Sequence, residues 1–144
     1  MTIIASVDQS DQAPAIVAEA ASLGEAFDEP VHAVYVLDRD RFVGLQRTSV
    51  RDKGETIPVE RITKVATEIA GEAIEEAGVT AEAVGLRGSP SEEIVDYADK
   101  HDARYIVVGG RKQSPVGKAL FGSVAQSVLL KAHQPVVALA RQPL

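Results

Sequence analysis

Residues 105–123 read Tyr-Ile-Val-Val-Gly-Gly-Arg-Lys-Gln-Ser-Pro-Val-Gly-Lys-Ala-Leu-Phe-Gly-Ser. Tyr105 to Val108 are aromatic or β-branched, as in a strand buried on both faces. Gly109-Gly110 then end the run with two residues that reach positive φ and allow close backbone approach. Gly122-Ser123 stand where an apolar helical segment, about Gly122 to Ala132, begins. Strand, glycine turn, loop and helix in that order make half of a βαβ unit, and the chain around it repeats the pattern.

Towards the N-terminus, Thr2 to Val7 is a second buried strand, ending at Asp8. Ile16, Ala20, Leu23 and Phe27 follow at helical spacing, with Ser10 or Asp11 as the cap and Asp28-Glu29-Pro30 as the stop. Val31 to Leu37 is another strand. Residues 38–57 show no period and read as a long connection, with Arg39, Arg41, Arg47 and Arg51 in solvent. Pro58 opens a helix whose face is Val59, Ile62, Ala66, Ile69, Ala73 and Ala77, stopped by Gly78. Glu82 to Leu86 is a weaker strand, expected at an edge. Ser89-Pro90-Ser91-Glu92 has the form of a capping box before the stripe Ile94, Tyr97 and Ala98. Pro135 to Ala140 is the last strand. Strict alternation predicts one α/β domain over residues 1–144, a doubly wound parallel sheet with about four helices on its two faces.

Composition narrows the chemistry. There is no cysteine in the 144 residues, which removes disulfides, thiolate metal sites and cysteine nucleophiles. No apolar run approaches the ~20 residues of a membrane span, and no signal pattern opens the chain, so the expected location is the cytoplasm. The net charge of −6 disfavours nucleic acid and anionic membrane as partners. That charge is unevenly spread: residues 103–144 carry six basic and no acidic side chains, leaving −12 on the first 102. A basic last third on an acidic body fits a local anion site, and equally fits drift or contact between subunits.

In doubly wound sheets ligands bind beyond the carboxyl ends of the strands, where strand order reverses. Gly109-Gly110, Gly122-Ser123 and the cations Arg111, Lys112 and Lys118 read either as a phosphate cradle or as an ordinary turn with an N-cap. Asp8 reads either as a helix cap or as an acceptor for a ribose hydroxyl or base amine. The Walker A spacing, G-x-G-x-x-G and G-x-S-x-G are all absent. Asp99, His101 and Asp102 read as solvated residues at a helix end.

Taken together, Ile3 to Asp8 with Ser10, Val31 to Asp38, the Gly109 to Ser123 segment and the closing Pro-Val-Val-Ala-Leu-Ala of 135–140 resemble the universal stress protein family over essentially the whole chain. The resemblance implies a five-stranded parallel sheet of order 3-2-1-4-5, which makes strands one and four neighbours. It implies a stress-response sensor or regulator that binds ATP or a related adenine nucleotide, with magnesium bridging the phosphates, rather than an efficient enzyme. Carried over, Asp8 meets the adenosine part beside Val7, and Val36 meets adenine through its backbone. Gly109, Gly122 and Ser123 lie on the ribose and phosphates, with Val108, Val124 and Ala125 adjoining. The family motif G-x2-G-x9-G-[ST] has a glycine where this chain has Lys112, so Lys112 and Arg111 enter as candidate phosphate ligands, or Lys112 as an obstruction. A homodimer through Pro135 to Ala140 is implied too, and pairing there covers an exposed strand edge. The alternative function is a nucleotide-free homodimer acting through protein contacts.

Overall fold

The computed structural model describes residues 1–113 and 119–140, with side chains at all of these except 111–113 and 119–120. The elements are β1 (Thr2–Val7), α1 (Ala13–Phe27), β2 (Val31–Leu37), α2 (Arg39–Lys53), α3 (Val59–Ala77), β3 (Glu82–Arg87), α4 (Pro90–Lys100), β4 (Ala103–Gln113), β5 (Ala119–Leu120), α5 (Ser123–Lys131) and β6 (Val136–Ala140).

Five strands run parallel in the order β3-β2-β1-β4-β6. Numbered among themselves, they give the expected 3-2-1-4-5. Alternation along β1 sends Ile3, Ala5 and Val7 to one face and Ile4 to the other. Ile3, Ala5 and Val7 pack with Ile16, Val17 and Ala20 of α1 and Ala73 of α3. Ile4 packs with Ile94 and Ala98 of α4, and Val128 of α5. The sheet is thus covered on both sides, as continuous apolar strands require. β3 lies at the edge, as its weaker apolar pattern predicts.

Four expectations needed correction. Residues 38–57 are not an aperiodic connection, because α2 fills most of them. Asp38 caps it by accepting the Arg41 N–H at 2.8 Å, Gly54 ends it at φ 74°, and Arg51 and Lys53 sit in its last turn. Phe42 and Leu45 pack against Tyr35, Leu37 and Ile62. Gln46 ties the following segment back to α2, accepting the Ile57 N–H at 2.6 Å and donating to its carbonyl at 2.8 Å. The four arginines of α2 are exposed, as expected. Second, β4 does not end at Val108 but continues to Gln113 and meets the short antiparallel β5. Third, two caps differ. α1 starts from Gln12 rather than Ser10 or Asp11, and the Ser89 hydroxyl makes no cap bond. Fourth, Phe27, expected in the buried stripe, is exposed, with the Arg104 guanidinium 4.7 Å from its ring centre.

The amino ends of the strands hold a polar cluster. His32 is 2.7 Å from the Tyr97 hydroxyl through Nδ1, and 3.2 Å from Glu82 Oε2 through Nε2. His101 stacks on Tyr97 at 3.8 Å. Burial holds the His32 pKa below its ordinary value; the Glu82 carboxylate opposes this and His101 adds to it. The unfolded chain therefore takes up the proton first as pH falls through about 6.5, and stability declines from there. Thermal melts from pH 7.5 to 5 should show that decline, and His32→Asn should flatten it. Glu29, held low by Arg104 and the N-terminus, gives a separate loss at more acidic pH.

Candidate functional site

β1 and β4 are neighbours, with Ala5 opposite Val107. Strand order reverses at this pair, so the crevice beyond their carboxyl ends is where this architecture places ligands. Asp8 is the first residue past β1. Its Oδ1 accepts the Ser10 N–H at 3.0 Å and also the Ser10 hydroxyl. This is an Asx turn, the local geometry a short carboxylate favours. Among the described residues Asp8 Oδ2 accepts no hydrogen bond, and the side chain is exposed. The local role and the ligand role are therefore compatible in one residue.

Facing it, β4 carries a bulge. Val108 pairs with Ala138 and Arg111 with Ala140, so β4 spends one more residue than β6 over that interval. Gly110 takes φ 97°, a conformation L side chains rarely adopt. A Cβ at Gly109 would fall 2.7 Å from both Gln12 Oε1 and Ile16 Cδ1, so glycine is also what lets α1 approach β4. A Cβ at Gly110 would lie 3.5 Å from the Gly122 amide nitrogen. The two glycine segments, twelve residues apart in sequence, are thus brought side by side.

Gly122 is the N-cap of α5, and no side chain caps that helix. Its first turn has no acidic residue. The leading amides and the helix dipole favour an anion there. Ser123 and Val124 are exposed at this end, whereas Ala125 is buried. Val7, Val36 and Val108 are buried in the core. Arg111 pairs with Ala140 and Lys112 with Leu120 along the extended β4. Lys118 lies outside the described residues.

Gln12 escaped the sequence reading. Its Oε1 accepts the Gly110 N–H at 2.9 Å, and its Nε2 donates to the Leu139 carbonyl at 3.4 Å. No local signal marks a contact 98 residues away. Among the described residues no group of three or more His, Cys, Asp or Glu side chains could hold a metal. No described helix is long and apolar enough to cross a membrane. Two surface cavities lie away from the crevice. One, of about 400 Å³, runs along α2 between Phe42 and Arg51. The other, of about 560 Å³, is at the amino ends of β2 and β3 near Glu29, His32 and Glu82.

This arrangement has clear relatives. A universal stress protein of Methanocaldococcus jannaschii is 31% identical over 147 residues, spanning 96% of this chain and 81% of the relative. A solved universal stress protein of Archaeoglobus fulgidus is 38% identical, covers 96% of this chain and 97% of its own, and superposes with a TM-score of 0.66. Another from the same organism, solved in complex with dAMP, is 32% identical, covers 96% of each chain and gives 0.62. The model of the universal stress protein family matches residues 1–140. The chain belongs to the universal stress protein family.

Proposed function

We propose that this chain binds an adenine nucleotide, ATP or a close relative, in the crevice between β1 and β4, and serves as a stress-response sensor or regulator. The carrying observation is the meeting of three features at the reversal point: the Asp8 carboxylate, the Gly109-Gly110 bulge and the uncapped start of α5. The similar Archaeoglobus protein solved with dAMP supports the same ligand class. In this reading Asp8 Oδ2 accepts from the ribose or base, and the main chain at Val7, Val36 and Val108 lines the adenosine end. Gly109, Gly122 and Ser123 meet the ribose and phosphates, with the Val124 and Ala125 amides behind them. Arg111 and Lys112 add cationic charge. Magnesium, when present, rides on the phosphates, since among the described residues no group of three or more His, Cys, Asp or Glu side chains could hold it. In this reading the role is binding rather than turnover.

Calorimetry tests this. AMP and ATP should bind the wild type, and Ser123→Ala should weaken both about fivefold by removing one donor to phosphate. No heat at millimolar ATP sinks the reading. A second reading, a nucleotide-free interaction protein, draws on Lys112 at the motif's glycine position. Lys112→Gly separates the two: stronger binding marks the lysine as an obstruction, and weaker binding marks it as a ligand.

Self-association through β6 is part of the same proposal. β6 pairs with β4 on one side and, among the described residues, with no strand on the other. The Pro135 carbonyl extends that ladder by accepting the Ile106 N–H at 3.1 Å. An apolar strand edge of this kind is commonly covered by pairing. A sedimentation mass of two chains at micromolar concentration is the expected result.

A further inference from the structure

We propose that Gln12 is a positioning residue for the phosphate side of the crevice, a role that rests on the nucleotide reading above. Its carboxamide acts as a peptide unit inserted into the sheet where the β4–β6 ladder slips. The slip leaves Leu139 opposite both Gly109 and Gly110, so one-to-one pairing is lost there. Gln12 Oε1 takes the Gly110 N–H from one strand, and Gln12 Nε2 gives a hydrogen bond to the Leu139 carbonyl of the other. The donor and acceptor of a carboxamide match those of a peptide group, so one side chain serves both strands.

This clamp sets the geometry of the bulge. Gly110 is at φ 97°, a basin glycine shares with several others, so a tertiary contact has to select it. The Gly110 backbone adjoins Gly122, the cap of α5. Holding Gly110 therefore fixes where the two glycine segments meet. Gln12 itself is anchored at the other side of the crevice. Its own N–H donates to Ser10 Oγ at 3.2 Å, and Ser10 in turn bonds Asp8. That anchor is main chain, so changing the side chain at position 12 leaves the Asp8–Ser10 turn in place.

The consequence is a split between ligand ends. Gln12→Ala should weaken AMP binding about five- to tenfold, the size of one to two lost hydrogen bonds. Adenosine, which lacks the phosphate, should bind within twofold of wild type. Gln12→Leu, closer in volume, should give the same split and controls for the cavity that alanine leaves. Amide hydrogen exchange at Gly110 should accelerate at least tenfold in both variants relative to β1 amides. Equal losses for AMP and adenosine would overturn the positioning role and leave a general structural one. Unchanged Gly110 exchange would overturn the clamp itself. If wild type binds neither ligand, the nucleotide reading and the ligand-positioning role fall together, and exchange at Gly110 still decides whether the clamp exists.

Discussion

Replacing Gly85 with alanine should lower the stability of the fold by about 3 kcal/mol, near the top of the range for overpacking a tight contact. Gly85 sits in β3 opposite Tyr35 of β2. Helix α3 crosses it so closely that an added Cβ would overlap the Thr67 amide nitrogen and lie 2.5 Å from the Thr63 carbonyl oxygen. Both are backbone atoms inside a 19-residue helix, so no rotamer change relieves the contact. Either α3 lifts from the sheet, stripping contacts from Ile62, Ala66 and Ala70, or the edge strand moves outward. Thermal denaturation should show a fall of roughly 10 °C for a chain of this size. A melting temperature within 1 °C of wild type would contradict the close packing of α3 on β3. Because β2 and β1 separate β3 from β4, ligand affinity measured well below the transition should not change.

The largest effect on binding should come from Asp8. Asp8→Ala removes the carboxylate assigned to the adenosine end, and a charged hydrogen bond of about 1.5–3 kcal/mol corresponds to a loss of some 10- to 100-fold in affinity. Oδ1 also shapes the turn by accepting the Ser10 N–H and hydroxyl. Two further variants separate the contributions. Asp8→Asn keeps a carbonyl acceptor for the turn and loses the charge. Ser10→Ala removes the hydroxyl bond to Asp8, together with the acceptor for the Gln12 N–H, and keeps the carboxylate. If Asp8 meets the ligand, Asp8→Asn should follow Asp8→Ala in calorimetric titrations with AMP, and Ser10→Ala should remain within about threefold of wild type. The opposite order would make Asp8 a turn residue only.

The parallel sheet was legible because its strands are short apolar runs separated by helical stripes, although the fold leaves Phe27 and Val59 of those stripes exposed. Ile16 and Ala20, and Ile62, Ala66 and Ala73, are buried where their spacing puts them. Helix α2 was not legible from hydrophobic period, since its inner face is built from only Phe42, Leu45 and Ser49 among many charges. Cap residues stand at both its ends, Asp38 and Gly54, but without a stripe between them they do not mark a helix. The glycine turn was recognised but not its shape. A bulge inside a continuing strand depends on the partner β6 and on Gln12, both distant in sequence. The sequence alone does not choose between cap and ligand for Asp8, and the Asx turn accounts for one of its oxygens. The resemblance to the family supplied the neighbour relation of β1 and β4, which periodicity alone cannot give.

Under the proposed function an adenine nucleotide sits between Asp8 and the start of α5. Backbone amide resonances followed by NMR during titration with AMP test it most directly. Saturable shifts are expected at Asp8, Gly109, Gly110, Gly122 and Ser123 together, with none at Phe42 to Arg51 of α2 or at His32. Absence of shifts at saturating AMP, or shifts centred on the α2 groove or the His32 end of the sheet, would contradict it.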